Sequence, residues 1–200
     1  KLKLDPIHNA DFVSSDRFVV CTESHGIKVY KITSKGQSLK ATLVPKFPTN
    51  VNYICGSRRT HDFVAGYETG TIRIWSPDSL KVNFEKTLHS GPILHIISYE
   101  EHLVSLSQDG CVVFINILKY TVEKKFFLKG CHLHNKSKMA IFQKSIIIGS
   151  DQGEIYQFDI NNGKLMNTWK QLQGNPITSL GSNDLSLVTG DKNGNVKIWK

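Results

Sequence analysis

One unit of sequence returns five times along this chain, and that recurrence restricts its fold more than any other feature. Each copy has an apolar run, a short polar turn holding glycine, and an alternating stretch that ends on a large residue. The copies are Phe18–Tyr30, Phe63–Trp75, Leu103–Ile115, Ile146–Phe158 and Leu187–Trp199. Their last residues, 30, 75, 115, 158 and 199, lie 45, 40, 43 and 41 residues apart. Gly70, Gly110, Gly153 and Gly194 each precede the end of their copy by five positions, and Gly26 precedes Tyr30 by four. Recurrence at one period marks an array of like supersecondary units.

Each unit has the chemistry of a hairpin. The turn needs a backbone with positive φ, which glycine adopts without strain. Ile72/Ile74 and Val196/Ile198 alternate with their neighbours as strand residues do. The run before each turn, such as Ile146-Ile147-Ile148, suits a strand buried on both faces. Two further strand-like pieces fall between copies. One is polar and Lys-rich: Lys81–Thr87, Thr121–Leu128 and Lys164–Trp169. The other is apolar: Val51–Cys55, Ile93–Ile97, Met139–Phe142 and Ile177–Leu180. Four strands in a period of about 42 residues describe one blade of a β-propeller. The predicted fold is therefore all-β, with residues 1–200 forming one propeller of four-stranded antiparallel blades.

The endings Trp75 and Trp199, the pair Phe158-Asp159, and the segment Leu88-His89-Ser90-Gly91-Pro92 resemble the WD-repeat family. The resemblance covers essentially the whole chain, with degenerate repeats: Ser76 and Lys200, not Asp, follow the two Trp residues. It implies a hydrogen-bonded chain of His, Ser or Thr, Asp and Trp in each blade. The third repeat nearly carries it, with His89, Ser105 and Asp109, but Ile115 stands in the Trp place. Thr69, Gln152 and Asn193 stand in the Asp place of the other turns. On the resemblance, His89, Ser105, Asp109, Trp75 and Trp199 are structural residues. The family usually builds seven or eight blades, and seven would need roughly 290 residues. Two closures stay open. Lys1–Leu4 could pair with Val196–Lys200 and clasp a five-bladed ring. The favoured alternative is a larger ring of seven or eight blades, completed outside this chain or by a partner.

Composition narrows function. A hydrophobic content of 40% and charged content of 21% suit a globular protein. No stretch approaches the roughly 18 apolar residues of a spanning helix, and Lys1–Pro6 does not read as a signal peptide. Cys21, Cys55, Cys111 and Cys131 match no zinc spacing, and most lie in apolar runs, so a reducing compartment, cytoplasm or nucleus, is expected. Asn135-Lys136-Ser137 fits a glycosylation acceptor, which such a compartment would leave unused.

Catalytic signatures are weak. Glu100-Glu101 reads as a solvated turn, and no phosphate-binding Gly-Lys-Ser/Thr occurs. His89/Ser105/Asp109 has the composition of a hydrolytic triad, but the resemblance gives it a structural role. Cys131, His132 and His134 offer three ligand types within four residues, one short of a structural zinc site. No metal or cofactor is expected.

The net charge of +8 raises nucleic-acid binding. Nine lysines (1, 3, 40, 81, 86, 124, 125, 164 and 170) fall on outer strands, where they deter sheet-to-sheet pairing. Two basic clusters remain, at Arg58-Arg59 and across Lys129–Lys138 with His132, His134 and Lys136. The expected binding face comprises the middle hairpin turns and the loops leading into each blade. Phe47 and Tyr67 are the expected aromatic anchors, with Glu68 beside them. The expected function is a non-enzymatic protein–protein scaffold in a multi-subunit complex. The alternative is a propeller that contacts RNA or a phosphorylated ligand in a ribonucleoprotein.

Overall fold

A computed structural model describes residues 6–22, 26–32, 39–43 (backbone only), 50–57, 59–134, 137–170, 174–183 and 185–199. The expected clasp at Lys1–Leu4, and Phe47, Arg58, Asn135 and Lys136, lie outside these residues. Among those described there are nineteen strands and no helix, hence no helix able to cross a membrane.

The strands form five antiparallel blades, each a meander in chain order. Blade 1 holds β1 (Ile7–Ser14), β2 (Arg17–Thr22), β3 (Ile27–Ile32) and β4 (Leu39–Leu43). Blade 2 holds β5 (Val51–Gly56), β6 (Phe63–Tyr67), β7 (Thr71–Trp75) and β8 (Val82–Thr87). Blade 3 holds β9 (Ile93–Tyr99), β10 (His102–Ser107), β11 (Cys111–Asn116) and β12 (Thr121–Phe127). Blade 4 holds β13 (Lys138–Phe142), β14 (Ser145–Gly149), β15 (Glu154–Asp159) and β16 (Leu165–Lys170). Blade 5 has three described strands, β17 (Ile177–Ser182), β18 (Leu187–Asp191) and β19 (Val196–Trp199). Gly70, Gly110, Gly153 and Gly194 have φ of 77°, 80°, 76° and 81°, the left-handed backbone that the repeat demands at its turn.

Strand periodicity decides how the blades stack. In β2 and β3, Val19, Cys21, Ile27 and Val29 share one face and meet Phe63, Ala65, Tyr67 and Trp75 of blade 2. The opposite face of blade 2, with Val64, Ile72 and Ile74, meets Leu103, Cys111, Val113 and Ile115 of blade 3. Val104, Val112 and Phe114 then meet Ile146, Ile148, Tyr156 and Phe158 of blade 4. Ile147 and Ile155 meet Ile177 and Leu187 of blade 5, with Trp169 and Trp199 packed alongside. Two glycines fit this stacking. A Cβ on Gly66 would lie 2.5 Å from Ile93 Cγ2, and one on Gly149 would lie 2.5 Å from Ile177 Cγ2. The inner strand of the following blade occupies the space a side chain would need.

The first strands β1, β5, β9, β13 and β17 lie side by side around a central channel, a cavity of about 910 Å³. The upper end of the channel carries the loops leading into each blade and the turns between second and third strands. The lower end carries the turns between first and second, and between third and fourth, strands.

Candidate functional site

Polar side chains pin the upper loops to the blades. His89, on the loop into blade 3, is buried and shares a 2.9 Å hydrogen bond with the buried Ser105 hydroxyl through Nε2. Its Nδ1 lies 3.5 Å from Asp109 Oδ1. Asp109 also accepts the Ser90 amide at 2.8 Å, the Ser90 hydroxyl at 3.2 Å and the Cys111 amide at 2.8 Å. Burial lowers the His89 pKa from its ordinary value, against the pull of Asp109. Burial alone would raise the Asp109 carboxyl, but the Ser90 and Cys111 amides outweigh it and hold it low. The structure thus brings together the three residues of the third repeat, with Ile115 fully buried in the Trp place. Ser105 is 0% exposed, so this His–Ser–Asp group has no access to a substrate.

The fifth repeat carries a second polar pin that the sequence analysis did not assign. Trp199 donates from Nε1 to Thr189 Oγ1 at 3.1 Å, and Thr189 occupies in β18 the place of Ser105 in β10. Asp191 ends the same strand. It accepts the Asn193 and Asn195 amides at 2.9 Å each, and the Asn175 side chain at 3.3 Å. The Asn195 side-chain donor, first among several, holds its carboxyl low. The signal lay in the position of Thr189, two residues after Leu187 as Ser105 is two after Leu103.

Tyr67 corrects an expectation. It is 1% exposed and offers no aromatic anchor at a loop tip. It is the last residue of β6 and continues the inward face of Phe63 and Ala65. The Arg73 guanidinium lies 4.4 Å above its ring, and both Arg73 and Trp75 hydrogen-bond with its hydroxyl. Burial raises the Tyr67 pKa, opposed by those donors. Arg73 in turn makes a forked pair with Glu85, at 2.8 and 3.1 Å. Trp75 is buried and stacks on Phe63 with ring centroids 6.1 Å apart. Blade 2 therefore holds Tyr67, Trp75, Arg73 and Glu85 together in place of the His–Ser–Asp–Trp chain that the sequence resemblance implies.

The remaining expected binding residues fall at two separate ends. Glu68 is exposed at the upper end, where Asn50 donates to it at 3.0 Å. Lys129, His132 and His134 are exposed on the loop into blade 4, with His134 Nε2 3.9 Å from Asp151. Arg59 is exposed in the β5–β6 turn at the lower end. The two basic clusters are therefore not one surface. Two outer-strand lysines are occupied: Lys124 donates to the Ile160 carbonyl at 3.1 Å, and Lys125 to the Leu88 carbonyl at 2.8 Å. Arg17 pairs with Asp78 at the lower end.

Cys131, His132 and His134 do not converge. Among the described residues, the one His/Cys/Asp/Glu group with ligand atoms within 4.8 Å of one another is His89, Asp109 and Cys111. Burial pushes the Cys111 thiol up to about 11, and Asp109 is already engaged by two amides. In the channel, Tyr53 and His95 share a 2.9 Å hydrogen bond. Burial, then the charge of Lys138, drives the His95 pKa down to about 3.

Comparison with known proteins bears on this geometry. Residues 163–200 match the family described as WD domain, G-beta repeat. No curated protein matches by sequence. Among solved structures, the β-propeller domain of Myceliophteria thermophila Cps50 (Swd1) superposes with a TM-score of 0.83 at 14% identity, covering 97% of this chain and 70% of that one. A chain of the Mitotic Checkpoint Complex gives 0.78 at 14% identity, covering 98% and 61%. The C-terminal WD40 domain of Sif2 gives 0.69 at 19% identity, covering 100% and 59%. The chain thus spans about three fifths to seven tenths of these propellers.

Proposed function

We propose that this β-propeller is of the WD-repeat type and is a non-enzymatic scaffold whose channel ends hold other proteins in a multi-subunit complex. The observation that carries this is the pinning of its loops. Asp109 and Asp191 bind the turns and loops of the upper end to the strands beneath them, so the exposed side chains around them stand on a rigid base. The one triad-like group is buried and spent on that pinning. One of the structures sharing the fold belongs to a multi-protein assembly, the Mitotic Checkpoint Complex. The four cysteines form no disulfide and three of them are buried, which supports a reducing compartment, cytoplasm or nucleus.

Protein is favoured over RNA because the positive charge is divided. Lys124, Lys125, Arg73 and Arg17 bond to the chain itself, and Arg59 lies at the other end from Lys129. Nucleic-acid affinity needs cations gathered along one track. Capture with the immobilised chain, run in parallel with and without nuclease, tests this. Specific proteins should remain bound between about 50 and 200 mM salt, a range over which an RNA contact weakens steeply. Recovery of RNA alone, lost across that range, would contradict the scaffold role.

A further inference from the structure

Polar residues stand at one level of the channel wall in all five blades. Asn9, Tyr53, His95, Lys138 and Ser179 lie on the five first strands, and each pairs with the fourth residue of its copy of the repeat. Each is followed by an apolar residue. In β1, β5, β9 and β17 the register slips at the residue just before this level, and such a bulge re-aims the side chain that follows. The five positions form a polar belt in an otherwise largely apolar wall.

The belt is hydrogen-bonded from blade to blade. The Asn9 side chain accepts the Ile54 amide at 3.0 Å and donates to the Tyr53 hydroxyl. Tyr53 meets Nε2 of His95 at 2.9 Å, and among the described residues no other acceptor takes its proton, so Nε2 accepts it. Burial, then the charge of Lys138, keeps the imidazole neutral, with a single N–H. That N–H therefore sits at Nδ1, which is buried and has no hydrogen-bond partner among the described residues. The next belt position holds Lys138. Its side chain is partly buried, and among the described residues no hydrogen bond or ion pair engages its ammonium. A buried donor and a partly desolvated cation are both costly without an acceptor. The acidic side chains of the channel lie below the belt: Asp11 accepts the Gly56 amide at 2.8 Å, and Glu100 stands at the lower mouth. Blades 3 and 4 each have a blade on either side within the described chain, so this pair of donors does not depend on where the chain ends.

We infer that the belt between blades 3 and 4 binds a carboxylate, which accepts from His95 Nδ1 and from the Lys138 ammonium. One negative charge offsets the one cation of the belt, and two oxygens serve the two donors. A phosphate would bring more charge than a lone ammonium offsets. The channel, about 910 Å³, admits a free small carboxylate or the side chain of an Asp or Glu on a segment entering from the upper mouth. The net charge of +8 draws such groups toward the chain. The inference goes beyond the scaffold proposal and does not rest on it.

Nuclear magnetic resonance of the isotope-labelled chain tests it. Long-range proton–nitrogen correlation reads the tautomer of each imidazole, and His95→Gln identifies the His95 signals. His95 should carry its proton on Nδ1. When acetate replaces chloride at constant ionic strength, the Nδ1 signal should shift and saturate with a Kd of about 1–10 mM, and phosphate should move it less. Lys138→Gln should weaken acetate binding about tenfold or more. Lys144→Gln, at the lower mouth of the same channel, should leave it unchanged. An amidated peptide whose one carboxylate is a Glu side chain separates the two sources. Binding at least as tight as that of acetate assigns the site to a partner's acidic residue, and no binding assigns it to a free carboxylate; either result upholds the site. Protonation at Nε2, no saturable shift with acetate, as for a site that holds only water, or equal affinity in Lys138→Gln would overturn the inference. The tautomer and the acetate titration use the unaltered chain, so they decide the matter even where a variant does not fold. Captured partners with no acetate binding defeat this inference alone, and acetate binding without captured partners defeats only the scaffold role.

Discussion

Adding one methyl group at two equivalent glycines should have opposite consequences. Gly149 and Gly190 hold the same place in successive repeats, the fourth residue of the copies Ile146–Phe158 and Leu187–Trp199. In Gly149→Ala the new Cβ lies 2.5 Å from Ile177 Cγ2 and 2.7 Å from Ile177 Cβ. The second contact is anchored to the backbone of β17, so rotation of a side chain cannot relieve it and blade 5 must shift. Overpacking of this kind costs about 1–3 kcal/mol. Replacing a strand glycine with alanine returns about 0.5–1 kcal/mol through chain entropy. The net expectation is a loss of about 1–2 kcal/mol. In Gly190→Ala the close contact is the Ser179 hydroxyl at 2.4 Å, which can rotate away; the Ser179 Cβ is at 3.8 Å. That variant should be neutral or gain a few tenths of a kcal/mol. Urea unfolding followed by far-UV circular dichroism reads both. With a slope near 2 kcal/mol/M, the Gly149→Ala midpoint should fall by about 0.5–1 M while that of Gly190→Ala stays put. Equal losses for the two, or no loss for Gly149→Ala, would refute the stacking geometry.

Other consequences follow from the polar pins and the channel. Ser105→Ala deprives buried His89 of its 2.9 Å partner and should cost about 1–3 kcal/mol in the same unfolding assay. Thr189→Val removes the acceptor of the Trp199 indole at the last blade; a smaller loss, about 1 kcal/mol, should appear with faster exchange in β18 and β19. Acid should destabilise the chain through His95. Its pKa in the fold is far below the 6.5 of the unfolded chain, so the unfolded state takes the proton first. Stability is then full above about pH 6.5 and falls as pH drops toward 3. At pH 5 the loss is about 2 kcal/mol from this group, and His95→Gln should flatten that slope between pH 7.5 and 5 in urea titrations.

Most of the architecture was legible in the sequence because a propeller writes each blade separately. The inner strands expected at Val51–Cys55, Ile93–Ile97, Met139–Phe142 and Ile177–Leu180 stand at β5, β9, β13 and β17. The turn glycines fall where the period places them. The candidate site was less legible. Tyr67 was expected at a loop tip because it adjoins the polar turn. Yet Phe63, Ala65 and Tyr67 alternate on one face, and strand period could have placed its ring beside Trp75. Arg58-Arg59 and the Lys129–Lys138 loop look alike as charge clusters. Only the alternation of turns along a meander puts Arg59 and Lys129 at opposite ends. The His89–Ser105–Asp109 group was foreseeable from family spacing, whereas the Tyr67–Trp75–Arg73–Glu85 cluster depends on cross-strand neighbours. The exposure of Val196 and Ile198 in blade 5 is invisible in sequence, since they read like the buried Ile72 and Ile74 of blade 2.

Hydrogen exchange resolved along the 200-residue chain tests the stacked-blade account most directly. Ile72–Trp75, Val112–Ile115 and Ile155–Phe158 each lie between two blades, and among the described residues Val196–Trp199 has a neighbouring blade on one side only. Slow exchange in the first three and markedly faster exchange in the fourth is the expected profile. Uniform exchange across all four would contradict it, because equivalent strands would then have equivalent surroundings.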